Sequence, residues 1–298
     1  MSGDPAHRDA GEAATRHAGA SPEAIGVHYD VSNEFFKLWL DPEMIYSCAL
    51  FEGGDDLAGA QRRKLDHHID AAGAAGASRV LDIGCGWGGL LRRLTGEAGV
   101  KQAVGLTLSP AQAGWIRRDP RPGIEVREEN WRDHRPDRPY DAIISIGAFE
   151  HFVHPGMRGA AKLEAYREFF AWCDHALVPG GRLSLQTIAY PAPPSETVRR
   201  QSAFIAQRIF PESDLPLIWE PAAAAEGIFE LCALRNDREH YFRTLRHWER
   251  NLVARHDAAV ALVGEAEVAD FRRYLRESAA AFKLGVVCLL RMSFVKRG

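Results

Sequence analysis

Cysteine is scarce in this sequence, and its spacing excludes two kinds of small fold. The 298 residues include five cysteines, an odd number without any C-x-x-C pair, at Cys48, Cys85, Cys173, Cys232 and Cys288. Disulfide frameworks and zinc ribbons need paired or closely spaced cysteines, so neither is expected here. Dispersed cysteines are typical of proteins in a reducing compartment, and we therefore expect a cytoplasmic protein.

Long apolar runs are lacking as well. The longest one near the carboxyl terminus covers residues 284–290 (LGVVCLL), whereas a membrane-spanning helix needs about 20 apolar residues. Residues 1–24 contain neither an apolar segment nor an aromatic residue, and they are rich in alanine, glycine and charge. We interpret them as a disordered tail and expect no secretory signal.

An excess of positive charge is also absent. The sequence has 37 Lys and Arg against 40 Asp and Glu, a formal net charge of -3. Proteins that bind nucleic acids usually carry a basic excess, so we expect no nucleic-acid partner.

What the sequence does contain is an alternation of strands and helices. Helices are predicted over residues 31–40 and 55–72, ahead of the first strand. Seven short apolar runs then predict strands, at residues 79–83, 103–108, 124–127, 140–146, 182–188, 231–235 and 286–294. Further helices are predicted at residues 90–97, 109–117, 162–176, 199–211, 216–225, 240–263 and 266–282. This order is typical of an α/β fold with an open, mostly parallel sheet.

A glycine-rich loop follows the first predicted strand directly. Residues 84–88 read GCGWG, at the strand end where open α/β sheets bind their ligands. An NAD site has G-x-G-x-x-G and, about 20 residues later, an acidic residue that holds the ribose. Here the spacing is G-x-G-x-G, and the second strand ends in GLTL without an acid. The loop therefore favours S-adenosylmethionine (SAM), which has no pyrophosphate, over NAD; a plain strand–helix connection is the alternative.

Four motifs occur together with this loop: residues 46–48 (YSC), 81–88 (LDIGCGWG), 105–109 (GLTLS) and 145–152 (SIGAFEHF). With residues 28–32 (HYDVS) and 239–242 (EHYF), they resemble the cyclopropane-fatty-acid and mycolic-acid cyclopropane synthase family of SAM-dependent methyltransferases. The resemblance implies a Rossmann-like class I methyltransferase with a seven-stranded, mostly parallel sheet. It also implies one domain over residues 25–298, with lid helices at 25–75 and an acceptor-binding insertion at 191–226 before the sixth strand.

The resemblance further implies a set of SAM-binding residues. The YSC segment would contact the cofactor from the lid, and the glycine loop would cradle its methionine and ribose portions. The set is Tyr46, Ser47, Asp82, Gly84, Cys85, Gly86, Gly88, Thr107, Leu108, Gln112, Trp131 and Arg132. Family members often carry Glu where this chain has Arg132, which puts the contact with the adenine edge in question.

The chemistry implied by the resemblance is methylation of an isolated carbon–carbon double bond through a carbocation, from which water must be excluded. Family members use a bound bicarbonate as the base. By resemblance, Glu150 is the carboxylate beside it and Tyr241 the phenol, while Cys48 and Ile146 contribute mainly backbone groups. Gln186 replaces the family's histidine on the fifth strand; its amide donates hydrogen bonds but carries no charge. The expected product therefore shifts from a cyclopropane towards a methyl or methylene group.

The acceptor stays open at this point. It is an unsaturated acyl lipid, which would require transient membrane contact, or an isoprenoid such as a prenyl diphosphate or another specialised-metabolite alkene. A SAM-binding protein without catalysis is the third hypothesis. In the insertion, Arg199, Arg200 and Arg208 either form a solvated face or line the mouth of an apolar, phosphate-binding pocket. No histidine group has metal-ligand spacing, so no metal is expected, and the oligomeric state cannot be inferred.

Overall fold

The computed structural model describes residues 19–21, 24 and 31–297. The predicted tail and the first residues of the predicted lid, 25–30, lie almost entirely outside these residues.

Two helices precede the sheet, as predicted. The first, α1 (Asn33–Trp39), begins where the side chain of Ser32 accepts a hydrogen bond from the backbone of Phe35. The second, α2 (Leu57–Ala71), is capped by Asp56 in the same way. Asn33 also accepts a hydrogen bond from the indole of Trp87 at 2.7 Å. Helix α1 is thereby fixed to the glycine loop.

A seven-stranded sheet with the order β3-β2-β1-β4-β5-β7-β6 forms the centre of the fold. Its strands are β1 (Arg79–Ile83), β2 (Gln102–Thr107), β3 (Ile124–Glu128), β4 (Tyr140–Ile146), β5 (Leu177–Ala189), β6 (Phe229–Asn236) and β7 (Cys288–Lys296). The first five pair in parallel, and β7 pairs antiparallel with both β5 and β6. The predicted fold class is confirmed. β5 starts at Leu177 rather than at residue 182, because Leu177 already pairs with Tyr140 before the glycine turn.

Helices cover both faces of this sheet and its carboxyl edge. They are α3 (Gly89–Gly96), α4 (Pro110–Arg118), α5 (Gly159–Ala176), α6 (Glu196–Phe204), α7 (Glu220–Ala225), α8 (Arg238–Ala254), α9 (His256–Val263) and α10 (Glu265–Leu284). A 3₁₀ turn (Phe149–His151) follows β4, and a π turn (Ile205–Ile209) follows α6. The single helix predicted over residues 240–263 was wrong, because Arg255 leaves helical geometry (φ -116°, ψ 20°) and separates α8 from α9.

An aromatic cluster packs α1 on the carboxyl-terminal helices. Phe35, Phe36 and Trp39 of α1 are fully buried, and they meet Trp248 of α8 and Phe271 of α10. Burying a side chain of this size stabilises the fold by roughly 1.5–3 kcal/mol. The carboxyl-terminal helices therefore hold α1 beside the glycine loop, whose Trp87 packs on Phe36. None of the helices that the structure describes is both long enough and apolar enough to cross a membrane.

Candidate active site

The glycine loop leaves β1 at the carboxyl edge of the sheet. Gly84 and Gly88 have positive φ angles of 82° and 80°. A Cβ atom on Gly84 would lie 2.6 Å from Ala148, and one on Gly88 would lie 2.9 Å from Ile116. A side chain at either position would be both strained and crowded. Glycine is therefore required for the backbone to turn this closely against its neighbours.

A cavity opens between this loop, the end of β2 and the segment that precedes α2; we call it the first cavity. All of the predicted SAM-binding residues except Gly88 line it, namely Tyr46, Ser47, Asp82, Gly84, Cys85, Gly86, Thr107, Leu108, Gln112, Trp131 and Arg132. Gly89 lines it in the place of Gly88. Burial raises the pKa of Asp82 to about 7. A carboxyl group, an open glycine backbone and an indole in one cavity fit a ligand that combines an amino acid with a nucleoside.

One end of the first cavity carries an indole and a guanidinium group. Arg132 stacks over the ring of Trp131 at 4.3 Å, and its Nη2 pairs with Glu168 at 3.3 Å. The Nη1 atom of Arg132 and the Nε1 atom of Trp131 are buried and have no hydrogen-bond partner among the described residues. Both atoms are donors, so Trp131 and Arg132 offer hydrogen bonds to an acceptor on a bound ligand.

A buried lysine, which sequence reasoning missed, lies at the other end of the first cavity. Lys64 of α2 is 1% exposed, and its Nζ donates to the hydroxyl of Ser47 at 2.7 Å. Burial and the nearby charge of Arg291 lower the pKa of Lys64 to about 7, although Asp41 and Asp82 oppose the shift. A lysine on the apolar face of a predicted helix is the signal that could have found it, because lysine is rarely buried without a partner.

A second cavity adjoins the first. The two share Tyr46, Ser47, Gly147 and His151 in their walls. Apolar side chains make up much of the second cavity, namely Ile188, Phe210, Leu215, Leu245, Phe282 and Leu289. Two of them, Phe210 and Leu215, come from the predicted insertion between β5 and β6. An apolar compound bound here would lie directly beside a ligand in the first cavity.

Glu150 brings a carboxyl group into this apolar surrounding. It lies on the 3₁₀ turn after β4, and its Oε1 accepts a hydrogen bond from the backbone N–H of Ile188 at 2.6 Å. Its Oε2 is buried without a partner among the described residues. Burial raises the pKa of Glu150 to about 7, while hydrogen bonds from Ile188 and Thr187 oppose the rise. The carboxyl group can therefore accept or release a proton near neutral pH.

The other predicted catalytic residues are placed differently. Tyr241 on α8 lines the second cavity with Glu150, and its ring packs on Phe282 at 4.5 Å. Ile146 lines the first cavity instead. Cys48 is fully buried outside both cavity walls, and burial raises the pKa of its thiol to about 11. A thiol in that state is a poor nucleophile, and the backbone role expected of Cys48 stays a prediction.

Gln186, the last of the predicted catalytic residues, lies in the wall of the second cavity and in a buried polar network. Its Oε1 accepts a hydrogen bond from the Nε of Arg291 at 3.0 Å and lies 3.4 Å from the Nε2 of His68. Arg291 forms an ion pair with Asp237 behind it. Burial opposes the charge of Asp237, but Arg291 and Arg235 hold its pKa below the usual value. Sequence reasoning did not find this network. Its clearest signal in the sequence is Arg291, a charged residue inside the last apolar strand.

Two of the three arginines noted in the insertion, Arg200 and Arg208, have acidic partners. Arg200 forms an ion pair with Glu196. Arg208 contacts Glu267 at 2.6 Å and Asp270 at 3.0 Å. Neither pair places a guanidinium group in the wall of the second cavity. Within the described residues, no group of three or more His, Cys, Asp and Glu side chains is placed to hold a metal ion.

Comparison with known proteins agrees with this geometry. The sequence model of the family described as mycolic acid cyclopropane synthetase matches residues 17–292. Cyclopropane mycolic acid synthase 1 of Mycobacterium tuberculosis is 35% identical over 283 residues, which cover 88% of this chain and 93% of the relative. Cyclopropane mycolic acid synthase 2 of Mycobacterium leprae is 35% identical over 295 residues, with 92% and 94% covered.

Solved structures give the same result. The cyclopropane synthase MmaA2 from Mycobacterium tuberculosis superposes with a TM-score of 0.84 and 33% identity, covering 93% of this chain and 99% of that chain. The mycolic acid cyclopropane synthase CmaA1, solved in complex with S-adenosylhomocysteine (SAH) and the detergent CTAB, gives a TM-score of 0.83 and 32% identity with the same coverage.

Proposed function

The chain belongs to the mycolic acid cyclopropane synthetase family and is a SAM-dependent methyltransferase, and we propose that its acceptor is the isolated double bond of an unsaturated acyl lipid. The product is a cyclopropane or a methyl-branched chain. The relatives named above carry a lipid of this kind, a mycolic acid, in their names. One of them binds CTAB, a detergent with a long alkyl chain, together with SAH.

One observation carries the proposal: the carboxyl group of Glu150 is the acidic group in the wall of an apolar cavity that adjoins the first cavity. An alkene is a weak nucleophile without a polar group to bind, so its site must be apolar. The carbocation formed by methyl transfer needs a negative or polarisable group nearby and no water. Glu150 supplies the negative charge when ionised, and the ring of Tyr241 offers a polarisable face.

SAM supplies an electrophilic methyl group when it is bound. We propose that Asp82, the glycine loop, Thr107 and Gln112 hold it in the first cavity, with the purine towards Trp131 and Arg132. Since Arg132 offers a donor where the family often has an acceptor, it would bind a ring nitrogen rather than the exocyclic amine. Ser47 lies in the walls of both cavities and is held by Lys64. It is therefore suited to keep the methyl group aimed at the acceptor.

We further propose that bicarbonate serves as the proton acceptor in the second cavity, held by Glu150, Tyr241 and Gln186. The unpartnered Oε2 of Glu150 supports this assignment, because an unpaired buried oxygen is costly unless a ligand meets it. Glu150 would accept the hydroxyl proton of the ion, and the amide of Gln186 would donate to its oxygens. Glu150 reaches the cavity from the turn after β4, and Gln186 reaches it from the adjacent strand β5.

The ion pairs of the insertion favour the acyl lipid over a prenyl diphosphate. A diphosphate carries several negative charges and requires free basic groups. Arg200 and Arg208 instead face the carboxylates of Glu196, Glu267 and Asp270. These partners offset the attraction that the arginines would exert on a second anion.

We propose that residues 191–226 bind the acceptor and contact the membrane transiently to receive it. Trp219 in this segment is 54% exposed, and tryptophan is favoured where protein meets a lipid surface. Co-sedimentation with phosphatidylcholine vesicles should fall when Trp219 is changed to alanine. Leu262→Ala is the matched control, because it removes an apolar side chain of similar exposure, 47%, on α9 and outside this segment. Equal sedimentation of both variants and the parent would exclude this contact.

The acceptor is tested by incubating the protein with methyl-labelled SAM and one of two acceptors. These are vesicles of dioleoyl phosphatidylcholine, with saturated dipalmitoyl lipid as control, and geranyl diphosphate. Label in the oleoyl chains and none in the saturated lipid is the expected result, and mass spectrometry then separates a cyclopropane from a methyl or methylene product. Label in the diphosphate alone would replace this proposal by the isoprenoid alternative. Absence of label from all acceptors would leave a SAM-binding protein without this activity.

A further inference from the structure

Arg291 and Gln186 face one another across two antiparallel strands. They are paired residues of β7 and β5, so their side chains project from the same face of the sheet. Both are about 1% exposed. The Nε of Arg291 donates to the Oε1 of Gln186 at 3.0 Å. A fully buried arginine thus bonds directly to a residue in the wall of the second cavity.

The rest of the guanidinium group is held just as closely. Its Nη1 donates to the carboxylate of Asp237, which is 6% exposed. Its Nη2 donates to the carbonyl oxygens of Cys48 at 3.0 Å and Ala49 at 3.2 Å. All three nitrogens therefore have acceptors: Gln186 on β5, the carbonyl groups of the segment between α1 and α2, and the carboxylate of the residue that precedes α8. The group has one orientation in which all these bonds form together.

This arrangement determines which way round the amide of Gln186 lies. Arginine donates hydrogen bonds and never accepts them, so the atom that faces it must be the carbonyl oxygen of the amide. His68 agrees with this orientation, because its Nε2 can donate to the same oxygen while its Nδ1 accepts from Ser184 at 2.8 Å. The amide nitrogen is then the polar atom that Gln186 has left for the second cavity, which Glu150 also lines.

We propose that Arg291, held by Asp237, is a positioning residue that turns the amide N–H groups of Gln186 into the second cavity, where they donate to a bound oxyanion. The inference rests on the bicarbonate-binding role in the proposed function and adds to it the residues that make a neutral glutamine a reliable donor. With a freely rotating amide, the carbonyl oxygen could face the anion and repel it. The buried guanidinium group removes that orientation.

Bicarbonate binding to the full chain saturated with SAH tests this inference, measured by isothermal titration calorimetry with sodium bicarbonate as the probe. Arg291→Lys keeps the charge beside Asp237 but loses the fork that reaches Gln186. Arg291→Met with Asp237→Leu removes both charges together, which avoids an unpaired buried charge if the single variant does not fold. The matched control is Arg79→Lys. Arg79 is also a buried arginine, 2% exposed, but it lies at the first residue of β1, at the strand end away from the glycine loop.

We expect the bicarbonate dissociation constant to rise about ten- to hundredfold in both Arg291 variants, the range for a lost hydrogen bond to a charged group. SAH affinity should change less than about twofold, and Arg79→Lys should leave both constants unchanged. In a Gln186→Ala background, the same changes at Arg291 should have little further effect, because the residue acts through the amide.

Two outcomes would overturn the inference. One is that changing Arg291 lowers bicarbonate affinity equally in the presence and absence of Gln186, and the other is that folded Arg291 variants bind bicarbonate as tightly as the parent. Failure of the parent protein to bind bicarbonate would also overturn it, while methyl transfer from labelled SAM would still be measured separately. Conversely, bicarbonate binding without methyl transfer to the oleoyl lipid would refute the proposed acceptor and leave the role of Arg291 intact.

Discussion

Replacing Glu150 by glutamine changes one carboxyl group into an amide of nearly the same shape. Glu150 is 6% exposed, and burial raises its pKa from 4.5 to about 7. Between these values the unfolded chain releases the proton and the folded chain keeps it. The contribution of Glu150 to the free energy of unfolding of wild type is therefore fully present below about pH 4.5, and it is lost as the pH rises to about 7.

The size of the effect follows from the shift. At about 1.4 kcal/mol per pH unit, the difference between 4.5 and about 7 corresponds to on the order of 3 kcal/mol. Glutamine does not titrate, so Glu150→Gln escapes this loss. We expect the free energy of unfolding of the variant, relative to wild type, to rise by that amount between about pH 4.5 and pH 8.

Urea unfolding of both proteins at the two pH values measures this difference, since contributions of other groups cancel between them. Glu230→Gln on β6 is the control, because Glu230 is exposed. The variant should bind SAH as wild type does and should lose methyl transfer, whereas wild-type turnover should rise with pH through about 7 as Glu150 ionises. A pH-independent difference in stability would refute the argument from burial. Full turnover in the variant would remove Glu150 from the mechanism.

Three further substitutions test other contacts of the site. Gly105→Ala would place a Cβ atom 2.8 Å from the Sγ of Cys85. Urea unfolding should show a free energy of unfolding that is lower by about 1–3 kcal/mol, and calorimetry should show weaker SAH binding. Lys64→Met removes the donor to Ser47, so the SAH dissociation constant should rise about fivefold, as for a lost hydrogen bond worth about 1 kcal/mol; an unchanged constant would contradict this role. Tyr241→Phe keeps the ring but loses the phenol, so turnover with labelled SAM should fall at least about tenfold while SAH binding persists; undiminished turnover would assign only packing to the phenol.

The fold was predictable because its signals are local. Strands β1, β2 and β4 are short apolar runs beside turns, and the glycine loop marks the carboxyl end of the first; only β3, with three charged residues, has a weaker signal among the first four. The predicted and observed element boundaries differ where contacts between distant parts of the chain, or a local break in the backbone, determine them. Leu177 joins β5 because it meets Tyr140 across the sheet, and the break at Arg255 gives α9 its own direction within an apparently continuous helical pattern.

The grouping of the predicted SAM-binding residues in one cavity was predictable for a similar reason, because these residues stand in motifs. The polar network was not, because its members contribute one residue each from distant segments. Lys64, His68, Asp237 and Arg291 belong to α2, the start of α8 and β7, and no spacing along the chain relates them. Their common signal is a charged or ionisable residue at an apolar position of a regular element. Such a residue needs a partner when it is buried, but the sequence does not tell which one.

Gln186 illustrates why a motif residue cannot be interpreted without its neighbours. Taken alone, glutamine in place of histidine weakens the case for an anion, since a neutral amide presents an acceptor as readily as a donor. Arg291 removes this ambiguity by occupying the amide oxygen, and His68 lies beside the same oxygen from α2. On our proposal the cavity therefore still faces a donor, and the substitution by itself gives no reason to expect a methyl or methylene product rather than a cyclopropane. On our proposal the product is then decided by which proton beside the carbocation the bound base removes: loss from the transferred methyl group closes a cyclopropane, and loss from another carbon leaves an alkene. The position of the base is set by Glu150, whose Oε2 is open to it.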